Sequence, residues 1–527
     1  MNRVLSSLLN RHIALIAFLI SFIISPWIYY PWHVMNKDGI IYLNVAYIAN
    51  TQGIIAAFNN YDWPSLSIMI GELQKLTHLS YINSAFLIEA LLLGLSAFFF
   101  VKIIIKLGGE QLTAWQAMIV FLSFETILNY RGDVLRDPGY WAFYLMSFYF
   151  LLQFAQMPKI STGLMWFFST IAAILFRVEG IPLLLLSPFA VFFFKHYSFA
   201  DKLKAWIKLY LPLFILAICA VLAMLFYWTH AKQILLASWH QVAMLFYVHG
   251  GNISVFDKFQ LAATHFHDLV LPKVAKLDSA TTILFIGLIG YFICKIIGNV
   301  GILNFILVLS SWVKKQVPFK ENQQVIMIWL ILISLLIPLN FLLGNQFIST
   351  RYLVSTSIIL LLFVPFTLSY CITHPTLPIK HLFTSKKYDI QNNTRSIFSL
   401  KALFILYMLV VAGHLGFLWW HAYYKNTSSV SVRANMWLYE NRAQLANVCS
   451  TDSWPLFAVT GEQIAFDKVD SSLLTLLNDS EKCQYIVFVG SPTRLARLQL
   501  LQYSPNWHLY KMFQAHNSKR NIYIFSR

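Results

Sequence analysis

Long apolar segments recur along the whole chain and limit the folds open to it. A helix needs roughly 20 apolar residues to cross the hydrocarbon core of a bilayer. The segments that approach this length are residues 13–32, 81–101, 113–130, 139–157, 162–177, 179–195, 206–228, 279–298, 325–343, 351–371 and 399–424. A soluble fold could not bury a chain of 527 residues that is 58% hydrophobic and 12% charged. We therefore predict an all-α polytopic membrane protein with about eleven transmembrane helices.

The distribution of basic residues predicts the orientation in the membrane. The net charge of +17 is also compatible with nucleic-acid binding. In the eleven-span arrangement one side collects Arg3, Arg11, Lys102, Lys106, Lys195, Lys202, Lys204, Lys208, Lys314, Lys315, Lys320, Lys380, Lys386, Lys387 and Arg395. Because cytoplasmic loops carry such an excess, we predict a cytoplasmic N-terminus, a periplasmic tail and no nucleic-acid partner. A bacterial inner membrane is expected, although an enzyme of the endoplasmic reticulum would share this topology.

This topology divides the chain into two predicted domains. Residues 1–424 are expected to form a transmembrane module, and residues 425–527 a small extracytoplasmic α/β domain. The predicted outer loops are 33–80, 129–137, 177–179, 229–278 and 344–350. The apolar stretch 300–312 is too short for a span and is interpreted as an interfacial or re-entrant piece.

The first outer loop and the tail both contain signals of secondary structure. Residues 39–50 predict a short interfacial helix. Asp62 and Pro64 predict the start of a second helix, with Leu66, Met69, Leu73 and Leu76 on one face. In the tail we predict helices over 434–445 and 494–501, and strands over 484–489 and 522–525.

The five cysteines are too few for a disulfide framework. Cys449 and Cys483 both lie in the tail, where they can pair if that domain faces an oxidising compartment. Two unpaired thiols are an equally good interpretation of the sequence.

Asp38 is the first candidate for chemistry, because it follows the first span directly. As a functional group it would be a general base for an acceptor hydroxyl, or a metal ligand. The alternative is a structural role as the N-cap of a helix that begins at Gly39. The two roles are compatible with one another.

A second group of charges lies between two apolar spans. Asp133, Arg136 and Asp137 fall within seven residues that also contain Arg131. Charges at this depth are costly unless they are paired or hydrated. Asp137 before Pro138 is also a natural helix start, so the functional interpretation favours Asp133 or Arg136.

Two further arginines lie at the outer ends of spans. Arg177 and Glu179 interrupt an apolar hairpin, where they form either a structural ion pair or part of a phosphate site. Arg351 and Tyr352 open a later span, where the alternatives are an interfacial anchor and a phosphate clamp. The guanidinium group suits phosphate because it donates two parallel hydrogen bonds.

The histidines of the 229–278 loop do not form a recognisable metal motif. His265 and His267 lack a zinc-binding spacing and an acidic partner. Structural or substrate-contact roles are favoured for them and for His240 and His249. The sequence contains no phosphate-binding Gly-Lys-Ser/Thr loop, dinucleotide fingerprint or nucleophile elbow, so ATP-driven and dinucleotide chemistry have no support.

Taken together, several short motifs resemble a known family. The first outer loop opens with Asp38-Gly39-x-x-Tyr42 and continues to Gly53, Ala56 and Trp63-Pro64. Later motifs are Arg136-Asp137-Pro138, Arg177-Val178-Glu179-Gly180, and Trp437-Leu438-Tyr439-Glu440-Asn441 followed by Asp452 and Gly461. In this layout the chain resembles the polytopic glycosyltransferases of the C superfamily, the class of bacterial aminoarabinose transferases and protein O-mannosyltransferases.

The resemblance implies a sugar donor carried on polyprenyl phosphate and an acceptor that is a lipid, a glycan or a protein. Asp38 is expected to be the general base of an inverting transfer. The donor phosphate is expected to meet Arg136, Arg177, Arg351 and Tyr352. The substrate cleft is expected to include Tyr42, Trp63, Glu179 and His249. Asp133 and Asp137 would orient the acceptor or hold a divalent metal, whose requirement the sequence leaves open.

Other functions are compatible with a multi-span protein of this kind. A polysaccharide polymerase or ligase of the cell envelope would also use arginines at the outer face. A lipid or solute transporter would place polar or broken helices near the middle of the membrane and show paired repeats. The sequence shows no such repeat, and its charges cluster at the ends of spans, so the transferase is favoured.

Overall fold

The computed structural model describes most of the chain. The described residues are 12–28, 35–226, 254–272, 274, 276–382, 399–428, 430–445, 447–460, 483–490, 507–514 and 521–527. The predicted helix over 494–501 and His249 therefore lie outside the described residues.

The described chain is largely helical, with one small sheet near its end. The helices are α1 (Ile13–Ile28), α2 (Lys37–Gln52), α3 (Ile54–Asn60), α4 (Ser65–Thr77), α5 (Tyr81–Lys106), α6 (Gln111–Leu122), α7 (Glu125–Tyr130), α8 (Asp137–Gln156), α9 (Ile160–Phe176), α10 (Gly180–Leu186), α11 (Phe199–Phe226), α12 (Val255–Val270), α13 (Leu277–Val300), α14 (Ile302–Lys314), α15 (Glu321–Asn345), α16 (Val354–Leu361), α17 (Val364–Thr373), α18 (Leu400–Ser428), α19 (Val430–Glu440) and α20 (Ser453–Thr460). The strands are β1 (Val448–Ser450), β2 (Tyr485–Gly490), β3 (His508–Phe513) and β4 (Asn521–Ser526). Short 3₁₀-helices cover Ser187–Phe193, Thr350–Leu353 and Ile379–Leu382.

The chain forms two compact units, each built from separate stretches of sequence. Unit 1 comprises Met1–Ser21, Leu92–Leu128 and Arg136–His414. Unit 2 comprises Phe22–Leu91, Asn129–Leu135 and Leu415–Arg527. The predicted outer loop 33–80 and most of the predicted loop 129–137 therefore belong to the same unit as the C-terminal tail. The proposed division of the sequence at residue 424 stays a prediction.

Several helices have the length and composition of membrane spans. Within the described residues, four segments are long and apolar enough, namely Tyr81–Lys106, Leu277–Val300, Glu321–Asn345 and Thr350–Thr373. The shorter apolar helical segments are Ile13–Ser25, Gln111–Leu122, Ile160–Phe176, Gly180–Phe193, Ile302–Lys314 and Leu400–Gly416. These findings confirm a polytopic helical membrane protein, but the predicted number of eleven spans is not confirmed.

Two predicted spans are interrupted for identifiable reasons. The segment predicted over 113–130 is divided into α6 and α7, because the chain turns at Ser123 and Phe124, where the Phe124 amide donates to the Phe121 carbonyl three residues earlier. The segment predicted over 179–195 continues beyond α10 only as a 3₁₀-helix that begins at Ser187. Pro188 lacks the amide hydrogen that a regular α-helix would require at that point.

Close contact between α8 and α9 organises the centre of unit 1. A Cβ added at Gly139 would lie 2.1 Å from Phe176 Cδ1, so only glycine allows this approach. Farther along the two helices, the Ser147 and Thr170 hydroxyls are hydrogen-bonded at 2.8 Å. The contact at Gly139 therefore places the first turn of α8 beside the end of α9.

In unit 2 the first outer loop contains the two predicted helices, but the start of the second helix and its buried face differ from the prediction. The helix predicted over 39–50 is α2, and the second helix begins at Ser65, so Asp62 is not its N-cap. The buried residues of α4 are Leu66, Ser67, Ile70 and Gly71, whereas Met69 and Leu76 are exposed. A Cβ at Gly71 would lie 2.9 Å from the Ala46 carbonyl oxygen, so the small residue lets α4 pack closely on α2.

The tail of unit 2 contains a four-stranded sheet in the order β1-β2-β4-β3. Strand β1 pairs with β2 in parallel, while β4 pairs antiparallel with both β2 and β3. The strands predicted over 484–489 and 522–525 are confirmed as β2 and β4. The helix predicted over 434–445 occurs as α19, shifted towards the N-terminus.

A disulfide bond joins Cys449 in β1 to Cys483 before β2. The pairing that the sequence left open is therefore present, and both cysteines are buried in the core of the sheet. The remaining cysteines, Cys219, Cys294 and Cys371, are free.

We expect Cys449→Ser to destabilise this tail by about 2–4 kcal/mol, because the bond closes a loop in the unfolded chain. Thiol counting by mass spectrometry after alkylation first checks that the disulfide is present in the unaltered protein. The denatured protein should react at three cysteines before reduction and at five after it. Five reactive thiols before reduction would contradict the disulfide.

Candidate functional site

The start of α2 is fixed by a reciprocal pair of hydrogen bonds within unit 2. The Asn36 side chain donates from Nδ2 to the Val134 carbonyl at 3.1 Å, and its Oδ1 accepts from the Val134 amide at 3.0 Å. Through this pair the segment Asn129–Leu135, which contains Asp133, is held against the residue that precedes α2.

Gly39 makes this junction possible. A Cβ at this position would lie 2.6 Å from Asn36 Oδ1 and 3.1 Å from Val134 Cβ. Any larger residue would have to displace the Asn36 side chain. The Asp38-Gly39 motif thus combines a carboxylate with the small residue that lets the Asn129–Leu135 segment pack against the start of α2.

Asp38 itself lies in the first turn of α2 and is partly buried. The interpretation of Asp38 as the N-cap is wrong, because α2 already begins at Lys37 and Asn36 occupies the cap position. A carboxylate in the first turn is still stabilised by the helix dipole. The structure therefore keeps Asp38 in a position that tolerates its charge.

The Asn129–Leu135 segment has two further attachments inside unit 2. The Leu135 amide donates to Glu89 Oε1 at 3.0 Å, and Arg131 Nη1 donates to Ser25 Oγ at 2.9 Å. Glu89 and Arg131 are both buried, and neither is among the site residues predicted from the sequence. The available signal was an acidic residue inside the apolar segment 81–101, since such residues are rare in spans without a role.

The predicted cleft residues of the first outer loop have distinct environments. Tyr42 is buried and meets Tyr61 edge to face, with ring centroids 5.7 Å apart. Trp63 is partly buried. The predicted role of His249 lies outside the described residues.

Unit 1 contains a buried charge cluster around Arg177. One end of the Arg177 guanidinium donates from Nη1 to Asp137, and the other donates from Nη2 to Glu179. The side chains of Arg177, Asp137 and Glu179 are 10%, 5% and 19% exposed. The ion-pair interpretation of Arg177 and Glu179 is therefore confirmed, and Asp137 is a second partner.

The position of Arg177 follows from the packing of α8 on α9. Phe176, the last residue of α9, lies against Gly139, so the next residue reaches Asp137 at the start of α8. Glu179 comes from the connection to α10. Three chain segments thus meet at one guanidinium.

The cluster stabilises its own ionised state. Burial alone would raise the pKa of Glu179, but the charge and the hydrogen bond of Arg177 outweigh it, so the pKa is lowered. For Arg177, burial would lower the pKa, and the charges of Asp137 and Glu179 raise it above its ordinary value. Removing Arg177 would leave both carboxylates buried without compensation.

Two further arginines lie around this cluster. Tyr352 has the Arg177 guanidinium carbon 4.8 Å and the Arg351 guanidinium carbon 5.3 Å from its ring centroid. Its ring also stacks with Phe341 at 4.5 Å. The charge of Arg136 acts on Glu179 as well. Unit 1 therefore brings together the predicted donor-site residues Arg136, Arg177, Arg351 and Tyr352.

The described residues do not group into a metal site. Within the part of the chain that the structure describes, no three His, Cys, Asp or Glu side chains lie close enough to hold a metal ion. Asp137, a predicted catalytic or metal-binding residue, is hydrogen-bonded to Arg177. His267 contacts the neighbouring Asp268 at 2.8 Å.

The fold of this chain is also found in a solved structure, that of a protein from the class that the sequence resemblance pointed to. The chain matches the crystal structure of ArnT from Cupriavidus metallidurans bound to undecaprenyl phosphate, with a TM-score of 0.50 and 13% sequence identity. The match covers 98% of this chain and 97% of that chain. Comparisons with protein-family models and with curated proteins find no match. At this identity the likeness establishes the shared fold.

Proposed function

We propose that the protein is an integral membrane glycosyltransferase that moves a sugar from a polyprenyl-phosphate donor to an acceptor hydroxyl at the extracytoplasmic face. The observation that carries the proposal is the fold shared with ArnT over nearly the whole length of both chains. That structure contains undecaprenyl phosphate. The same lipid class is therefore the best supported carrier for the donor of this protein.

The arginines of unit 1 supply the cationic groups that such a donor requires. The polyprenyl phosphate leaves as an anion, so positive charge near it lowers the barrier to transfer. Arg177 is already held by Asp137 and Glu179, and it would have to exchange a carboxylate to bind phosphate. We therefore assign phosphate binding to Arg136 and Arg351, both partly exposed, and a positioning role to Arg177.

Asp38 is the proposed general base of unit 2. Its carboxylate would take the proton of the acceptor hydroxyl while the acceptor oxygen bonds to the anomeric carbon. The bond from that carbon to the phosphate oxygen breaks at the same time, which releases polyprenyl phosphate and inverts the configuration. Asp133 is proposed to orient the acceptor, because the Asn36–Val134 hydrogen bonds hold its segment at the start of α2.

The disulfide supports the proposed orientation. Disulfides form and persist in oxidising compartments and are rare in the cytosol. A bond between Cys449 and Cys483 therefore favours an extracytoplasmic tail. This agrees with the positive-inside prediction of a cytoplasmic N-terminus and a bacterial inner membrane.

The donor-site proposal predicts distinct effects of two replacements at Arg351. Arg351→Ala should weaken binding of polyprenyl phosphate by roughly tenfold or more, because a charged hydrogen-bond partner is lost. Arg351→Lys should keep part of the affinity, since lysine retains the positive charge but cannot donate the two parallel hydrogen bonds of a guanidinium group. Binding can be measured by native mass spectrometry of the detergent-purified protein titrated with the lipid.

Arg442→Ala is a matched control for this measurement. The Arg442 guanidinium carbon lies 3.9 Å from the Tyr439 ring centroid, so this variant also removes an arginine from a tyrosine face. It should bind the lipid as the unaltered protein does. Unchanged affinity in both Arg351 variants would reduce Arg351 to an interfacial anchor.

A further inference from the structure

A cleft in unit 1 is lined by three lysines that the proposed reaction does not use. Its volume is about 330 Å³, which is within the usual range of small-molecule sites. Lys102 and Lys106 come from the end of α5, and Lys320 precedes α15. The other polar lining residues are Tyr149, Gln156 and Gln323. We call this feature the lysine cleft.

Among the described residues, no carboxylate compensates the charge of the lysine cleft. Its lining contains no acidic residue, and no carboxylate forms an ion pair with these lysines in the part of the chain that the structure describes. Glu321, next to Lys320, is directed to Lys195 at 3.8 Å and to His196 at 2.8 Å. Lys102 lies over the Phe98 ring at 5.8 Å.

The protein holds two of these lysines together despite their like charges. The buried Gln323 side chain donates from Nε2 to the Lys106 carbonyl at 2.9 Å. Its Oε1 accepts from the Lys320 amide at 3.1 Å. One side chain therefore links the backbones of Lys106 and Lys320, which are 214 residues apart in sequence. Like charges held in this way repel one another, and a bound anion would relieve that repulsion.

The adjacent loop is also closely packed. Gly108 has φ +92°, and a Cβ there would lie 2.9 Å from Pro318 Cγ. The segment after α5 is thus seated against the segment before α15, and the cleft between them has a defined shape. A group of ammonium ions in fixed positions, with no carboxylate partner in the described part of the chain, is the chemistry expected of an anion site.

We propose that the lysine cleft binds the phosphate group of an anionic ligand, which the membrane surface would supply as a phospholipid headgroup. Lys102, Lys106 and Lys320 would contact the phosphate oxygens, and Tyr149 and Gln156 would offer hydrogen bonds. Lys106 is the last residue of an apolar helix long enough to span the membrane, and the adjacent Ile105 is exposed. A headgroup at this level would leave its acyl chains beside the exposed Ile105 at the end of α5.

Lipid retention by the purified full-length protein tests the proposal. The protein is titrated with phosphatidylglycerol, with phosphatidylcholine and with inorganic phosphate, and binding is followed by native mass spectrometry. We expect the Lys106→Gln/Lys320→Gln variant to bind phosphatidylglycerol roughly 10- to 30-fold more weakly. The Lys106→Arg/Lys320→Arg variant should retain most of the affinity, because it keeps both charges.

The matched control replaces two exposed lysines of unit 1 that lie outside the cleft, Lys204→Gln and Lys401→Gln. This variant should bind phosphatidylglycerol as the unaltered protein does. Binding of inorganic phosphate that is lost only in the cleft variant would also support the site and would assign it a soluble ligand. Equal binding of phosphatidylcholine, or equal losses in the cleft and control variants, would overturn the proposal.

Discussion

Replacement of Asp38 by asparagine is expected to lower the rate of sugar transfer by about 10²–10⁴-fold, the usual contribution of a general base. The asparagine amide has nearly the shape of the carboxylate, but it is too weak a base to take the proton from the acceptor hydroxyl. Because Asn36, not Asp38, occupies the cap position of α2, the helix should form as before. Donor affinity should also remain, since the phosphate is assigned to arginines of unit 1.

Asp278→Asn is the matched control for the Asp38 variant. Asp278 also lies in the first turn of a helix, α13, so the two replacements remove a similar interaction with a helix dipole. Transfer by the Asp278 variant should be close to that of the unaltered protein. If Asp38→Asn retains full single-turnover activity, Asp38 has no part in the mechanism.

The largest effect on folding is expected at Arg177. Replacing Arg177 by alanine leaves Asp137 and Glu179 buried without their partner, and breaking a buried pair in this way typically costs about 3–5 kcal/mol. It also removes one of the two guanidinium groups at the Tyr352 ring. We expect a marked fall in the thermal stability of the detergent-purified protein, measured by the loss of its monodisperse fraction on heating.

The Arg433→Ala variant is the control for the thermal stability of the Arg177→Ala variant. Arg433 is exposed and donates a hydrogen bond to the Gln514 carbonyl at 2.9 Å. Its removal should cost little, as exposed contacts usually do. Similar stabilities of the Arg177 and Arg433 variants would contradict the view that Arg177 organises the start of α8.

The sequence predicted the class of fold because length and hydropathy alone identify candidate membrane helices. It also located Asp38, Arg177 and Arg351 at the ends of apolar segments, where a charged residue contrasts with its apolar neighbours. It could not identify the second partner of Arg177. Asp137 is 40 residues away in sequence, and the contact depends on Gly139 admitting Phe176 at the interface of α8 and α9.

The details that the sequence missed arise from local packing. Hydropathy is continuous through Ser123 and through Ser187, so it does not show where the helices are interrupted. The buried face of α4 was obscured because two of its members are Ser67 and Gly71. Small residues at a close helix contact contribute little to a hydrophobic pattern, although they determine which face is buried.

Donor consumption shows whether the protein is a transferase that uses a polyprenyl-phosphate sugar. The purified protein is incubated with a panel of polyprenyl-phosphate sugars, in the presence of a membrane extract as a source of acceptors, and the donors are followed by mass spectrometry. We expect loss of one donor and release of the polyprenyl phosphate, and both changes should be about 10²–10⁴-fold slower with Asp38→Asn. Folded protein that binds none of these donors and consumes none would contradict the proposed transferase function and favour a transporter.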